Sequence, residues 1–116
     1  MSDTIFHKIM RREIPGDVVH EDENVIAFRD IAPQAPVHVL FVPKRDFATL
    51  NDVPEEDAVV IGKLATAAAR YAKKEGFAED GYRIVMNCNA DGGQTVFQVH
   101  LHLLAGASLG RFGTPA

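Results

Sequence analysis

The chain has 116 residues, 47% of them hydrophobic and 24% charged, with a formal net charge of −4 at pH 7. This length suits one domain, 1–116, that buries roughly two-thirds of its extended surface on folding. The negative balance, with basic residues scattered in short pairs such as Arg11-Arg12 and Lys73-Lys74, argues against a nucleic-acid partner.

Asp3 can cap a short helix at about 4–12, with Ile5, Phe6 and Ile9 on one face, and Pro15-Gly16 breaks it. Residues 18–20 and 25–29 read as two strands separated by a polar turn. Prolines at 33, 36 and 43 confine the next strand to "VHVLFV". A long helix follows at about 54–75, with acidic residues at its start, Lys73 and Lys74 at its end and Gly76 as its stop. Its expected buried stripe is Ile61, Leu64, Ala68 and Tyr71. "YRIVMN" at 82–87 and the run 95–104 read as the last two strands, joined by the turn-rich "CNADGG". Residues 105–116 read as a C-terminal arm. The expected fold class is α+β: an antiparallel sheet of about five strands with one long and one short helix.

Compartment follows from what the sequence does not supply. A single cysteine, Cys88, cannot form an internal disulfide, which fits a reducing compartment, the cytoplasm. "MSDTIFHKIMRR" lacks the order of a secretory signal. No apolar run approaches the ~20 residues of a membrane span, so no membrane partner is expected.

The chemistry concentrates in "TVFQVHLHLL", residues 95–104. Strand periodicity sends Gln98, His100 and His102 to one face and Phe97, Val99, Leu101 and Leu103 to the other. Two imidazoles on a buried strand each need partners for their ring nitrogens, so the polar face points to a cleft. One reading is a half-exposed strand that happens to carry histidines. A second is zinc held by His100 and His102, for which His38 is the remaining plausible histidine; a zinc site needs three or four ligands, and no paired cysteines exist to complete it. A third makes His100 a nucleophile toward phosphorus, with His102 donating to the phosphoryl oxygens. The preceding "DGGQT" supplies main-chain donors at Gly92 and Gly93 and side-chain donors at Gln94 and Thr95. Cys88, at a strand end, reads as a packed thiol.

"GGQTVFQVHLHLL" resembles the signature of the histidine-triad (HIT) proteins, His-φ-His-φ-His-φ-φ with φ apolar, and is close to the HINT branch of nucleoside phosphoramidases. The resemblance continues through "DTIFHKIMRREIP", "FRDIAPQAPVHVLFVPK" and "GYRIVMNCNADGGQTVF". It implies a nucleotide-binding α+β homodimer that cleaves P–N or mixed-anhydride bonds at the α-phosphorus of purine nucleotides. The implied intermediate is a covalent nucleotidyl-histidine, with no cofactor and no metal. Carried over by position, His100 is the nucleophile, His102 a phosphate-oxygen donor, His38 a fourth histidine beside the triad, and Asp30 the acceptor of both ribose hydroxyls. Ile5, Phe6, Ile9, Phe28 and Ile31 match the purine slot, while Asn87, Gly93 and Thr95 match contacts to the ribose and phosphate, with Gln94 beside them as a nucleotide-binding donor. His7 and His20 match nothing functional and are expected at the surface.

Gln98 departs from the pattern, standing where the family has its first histidine. Family members hold the nucleophile's N–H with the main-chain carbonyl at that position, which glutamine also has. Glutamine cannot carry a proton near neutral pH, so chemistry with an altered rate and pH dependence is expected. The alternatives are a purine-nucleotide-binding regulatory module with weak catalysis, and a dinucleoside polyphosphate hydrolase.

Overall fold

The computed structural model describes residues 3–113. Five antiparallel strands, β1 (Val18–Glu21), β2 (Val25–Arg29), β3 (Val37–Pro43), β4 (Tyr82–Val85) and β5 (Leu101–Ala105), form one sheet in the order β1-β2-β3-β5-β4. Helix α1 (Ile5–Met10) precedes the sheet and α2 (Ala58–Glu75) lies between β3 and β4. The α+β class, the strand number and the pair of unequal helices agree with the sequence reading.

Alternation along the strands divides the core in two. Val39, Phe41, Leu101 and Leu103 point to one face, where Leu64, Ala68 and Tyr71 of α2 cover them. Leu40, Val42, Ile26 and Phe28 point to the other, where Phe6 and Ile9 of α1 pack. The stripe on α2 is wider than expected: Ala67 and Ala72 are also buried, while Ile61 is only partly so. Because α1 has only 6 residues, fewer than two turns, it covers only part of its face and leaves a cleft beside it.

Several element ends differ from the sequence reading. Thr4, not Asp3, caps α1: its hydroxyl accepts the His7 N–H at 3.3 Å, and its own N–H donates to His7 Nδ1 at 2.9 Å. The helix stops at Met10, and Arg12 takes a left-handed φ of 63°. A separate 3₁₀ turn, Glu55–Asp57, precedes α2. The strand expected at 82–87 ends at Val85, and Asn87 beyond it donates its side-chain amide to the Gly92 carbonyl at 2.6 Å.

The last strand begins at Leu101 rather than 95, and Pro43 supplies the reason. In the β3–β5 register, Phe41 faces Leu101, which would bring Pro43 opposite Val99. Lys44 donates to Asn24 on the β2 side at 2.9 Å, so the preceding residue's N–H should point toward β5. Proline has no N–H to offer there. The Val99 N–H goes instead to the Phe47 carbonyl in the loop after β3, at 2.7 Å. Residues 96–98 therefore bend and 99–100 run on beside the sheet, none of them within its ladder.

Of the expected arm, Ala105 belongs to β5 and residues 114–116 lie outside the described residues. Arg83 of β4 holds the next part, donating to the Gly110 carbonyl at 2.7 Å with its guanidinium 4.8 Å from the Phe112 ring centroid. Among the described residues no helix is long and apolar enough to cross a membrane.

Candidate active site

A cleft of about 330 Å³ opens between α1, the β2 end and the segment leading into β5. All five residues expected to form an apolar slot line it: Ile5, Phe6, Ile9, Phe28 and Ile31. Ile31 is 95% exposed, an apolar side chain with almost no cover from its own chain. Ile14, Pro15 and Gly16 complete the wall; the sequence reading gave Pro15-Gly16 only the role of helix breaker. A Cβ at Gly16 would stand 2.6 Å from Ile9 Cγ2, so the close packing that signals its role is visible only in the fold.

His100 and His102 face this cleft together with Asp30 and Thr95. The Nδ1 of His100 lies 2.7 Å from the main-chain carbonyl of Gln98. A carbonyl only accepts, so Nδ1 carries the proton and Nε2 is left with a bare lone pair. Phe6 meets the ring edge-on, with centroids 4.8 Å apart, and fixes its plane.

His38 is buried behind His102, with its Nε2 2.9 Å from His102 Nδ1 and 3.4 Å from Asp30 Oδ2. Its Nδ1 accepts the Gln34 main-chain N–H at 2.9 Å. These partners assign the tautomers: His38 carries its proton on Nε2 and gives it to His102 Nδ1, which places the His102 proton on Nε2. One histidine of the pair thus presents a lone pair and the other an N–H.

Burial favours the neutral form of all three rings. It pushes His100 below the ordinary histidine range, with the Gln98 carbonyl and Asp30 acting the other way. Burial also lowers His38 against the pull of Asp30. His102 is pushed down to about 4 by burial and by the two neighbouring imidazoles.

Asp30, His38 and His102 bring ligand atoms within 4.8 Å of one another, a spacing a divalent ion could bridge. The hydrogen bonding does not fit one. A metal on His38 Nε2 would drive the ring proton to Nδ1, against the Gln34 N–H that already points there.

The remaining expected residues divide. Thr95 lines the cleft. Asp30 does too, with Oδ1 accepting the Ala32 N–H at 2.8 Å. Gly93 has φ 82°, and a Cβ on Gly92 would lie 2.5 Å from the Cys88 carbonyl, so both glycines are needed to form the tight loop before Thr95. Asn87 braces that loop from the side and does not line the cleft.

Gln94 and Gln98 turn their side chains away. Both amide protons of Gln94 are occupied by the Ala48 and Val96 carbonyls, at 2.8 and 3.0 Å. The Gln98 amide is buried against the loop after β3, accepting the Phe47 N–H at 3.2 Å and donating to the Arg45 carbonyl at 2.7 Å. Gln98 thus meets the site through its carbonyl alone.

His7 corrects the expectation of a surface residue. It is 8% exposed, and its Nε2 reaches Asp46 Oδ1 at 2.8 Å, tying α1 to the same loop. His20 pairs with Asp22 at 2.8 Å near the surface, as expected.

The HIT domain model matches residues 11–109 of the sequence. This chain belongs to the histidine-triad (HIT) family. It is 54% identical over 108 residues to the purine nucleoside phosphoramidase of Escherichia coli (strain K12), across 93% of this chain and 91% of that protein. Among solved structures, a histidine triad protein from Clostridium difficile is similar with a TM-score of 0.92 at 40% identity, covering 97% of this chain and 98% of that one. A HIT family hydrolase from Legionella pneumophila Philadelphia 1 reaches 0.88 at 48% identity, covering 91% and 95%.

The depressed histidines make stability depend on pH. In the unfolded chain His102 takes up a proton near 6.5, whereas folded it resists until about 4. The unfolded state therefore binds more protons between those values, and stability falls as pH falls through that window. Urea midpoints measured from pH 7 to pH 4 are expected to decline, and His102→Phe is expected to flatten part of that decline.

Proposed function

We propose that this protein is a purine nucleoside phosphoramidase, hydrolysing the P–N or mixed-anhydride bond at the α-phosphorus of purine nucleotides through a nucleotidyl-His100 intermediate. The observation that carries this reading is the pairing of a bare Nε2 on His100 with an N–H on His102 at the mouth of one apolar cleft. The 54% identity to the Escherichia coli phosphoramidase supports the substrate class.

In this reading the purine lies against Ile5, Phe6, Ile9, Phe28 and Ile31, which gives the exposed Ile31 its cover. The ribose hydroxyls bind Asp30, and the α-phosphate sits over Thr95 and the Gly93 main chain. His100 Nε2 attacks phosphorus, forming an N–P bond as the P–N or P–O bond of the substrate breaks. The leaving group takes the bonding pair and a proton from solvent. Positive charge that develops on the His100 ring is stabilised by the Gln98 carbonyl on Nδ1. The donor on His102 stabilises the phosphoryl oxygens, an effect worth about 3–4 kcal/mol for one well-placed donor. Water then attacks phosphorus and releases the monophosphate and His100.

Gln98 replaces the first histidine of the triad in this reading without entering the proton chemistry. What the position must supply is a carbonyl, and the amide side chain is engaged elsewhere. An adenosine phosphoramidate incubated with the protein is expected to yield the monophosphate by chromatography. His100→Ala should lower kcat/KM by roughly 10³-fold or more. Full turnover in that variant, or none in the parent, rules out the mechanism.

The working unit in this reading is a homodimer. β4 is an edge strand with one partner, β5, and Ile84 on it is 42% exposed. An apolar, unpaired edge of this kind invites a second copy. Sedimentation at micromolar concentration is expected to give twice the chain mass and Ile84→Lys a shift toward one; a parent that sediments as a single chain contradicts the assembly.

A further inference from the structure

We propose that the main-chain N–H of Gln34 is a positioning group for the reaction, setting the ring tautomer of His102 through His38. Its catalytic consequence rests on the phosphoramidase reading; the tautomers themselves do not.

The loop between β2 and β3 leaves few donors free to do anything else. Pro33 and Pro36 have no N–H. The Ala32 N–H is held by Asp30 Oδ1 at 2.8 Å, and the Asp30 N–H by the His38 carbonyl at 3.0 Å. The Gln34 side chain closes the turn onto the Ala32 carbonyl at 3.1 Å. Its main-chain N–H points at His38 Nδ1, at 2.9 Å.

A main-chain N–H differs from a hydroxyl or a water in one respect that matters here. It cannot rotate to become an acceptor. A proton on His38 Nδ1 would face another proton across a part-buried contact, so the Nδ1–H tautomer and the doubly protonated ring are both opposed. The proton of His38 must sit on Nε2, and His102 Nδ1, 2.9 Å away, must offer a lone pair to receive it. Only Nε2 of His102 then remains to carry a hydrogen, and His102 lines the cleft.

The two cleft histidines are thus set by opposite backbone groups. An acceptor, the Gln98 carbonyl, gives His100 a free lone pair; a donor, the Gln34 N–H, gives His102 a free proton through one intervening ring. Exchanging either group's polarity would reverse the role of the ring it controls.

The test is ¹⁵N-histidine NMR of the free protein at neutral pH, which reads ring protonation without any turnover. The parent is expected to show His102 with a protonated Nε2 and an unprotonated Nδ1. Gln34→Pro removes the donor and is expected to move His102 toward a mixture of tautomers, while His100 keeps its Nδ1–H signature as evidence of an intact fold. Gln34→Ala keeps the N–H and is expected to keep the parental ring shifts. On a phosphoramidate substrate, Gln34→Pro is expected to lower kcat roughly tenfold with little change in KM. Where proline prevents folding, an amide-to-ester replacement at 34 deletes the N–H alone. A parental His102 protonated on Nδ1, or unchanged His102 shifts after loss of the N–H, overturns the proposal. Expected ring shifts without turnover in the parent would leave the tautomer assignment standing and reject the phosphoramidase reading instead.

Discussion

The 2.7 Å hydrogen bond from His100 Nδ1 to the Gln98 carbonyl is the contact on which the chemistry of the cleft turns. It needs the backbone at 98 to leave the sheet ladder, so that its carbonyl can bend back onto the ring two residues later. Pro43 makes this possible by ending the β3–β5 pairing, and the loop after β3 makes it rigid. That loop accepts the Val99 N–H, accepts and donates through the Gln98 amide, and anchors α1 through the Asp46–His7 contact. One short segment therefore holds the backbone leading to His100 and the apolar wall in common.

Burial and hydrogen bonding act together on the three imidazoles. Removing them from water favours the neutral rings, and neutral rings have two tautomers between which the protein must choose. Every buried polar side-chain atom among the described residues has a partner. In the cleft those partners are largely main-chain groups, whose donor or acceptor character is fixed. Side-chain identity at 98 and 34, proline at 34 excepted, can change without altering what the backbone offers.

Much of this was legible in the sequence because the period-two alternation of residues 99–104 is strong and the prolines and glycines mark boundaries. His100, His102, Asp30 and the apolar slot line one cleft, with His38 behind His102. What escaped involves partners distant in the chain. Gln98 seemed to share the polar face with His100, but its amide satisfies a loop more than fifty residues earlier. His7 looked like a surface residue because its partner, Asp46, lies 39 positions away. Gln94 was read as a ligand donor, and its protons serve Ala48 and Val96. Gln34 carries no side-chain signal for its role, since only its backbone is used. The start of the last strand erred where a tertiary hydrogen bond, from the Val99 N–H to the Phe47 carbonyl, outcompeted local preference.

The central claim is that His100 forms a covalent bond to phosphorus through Nε2, and rapid-quench mass spectrometry addresses it directly. Protein mixed briefly with an adenosine phosphoramidate and quenched in base should gain the mass of one adenylyl group, with the modified peptide mapping to His100. An adduct on His102, His38 or Cys88, or release of monophosphate with no adduct at any quench time, would contradict it.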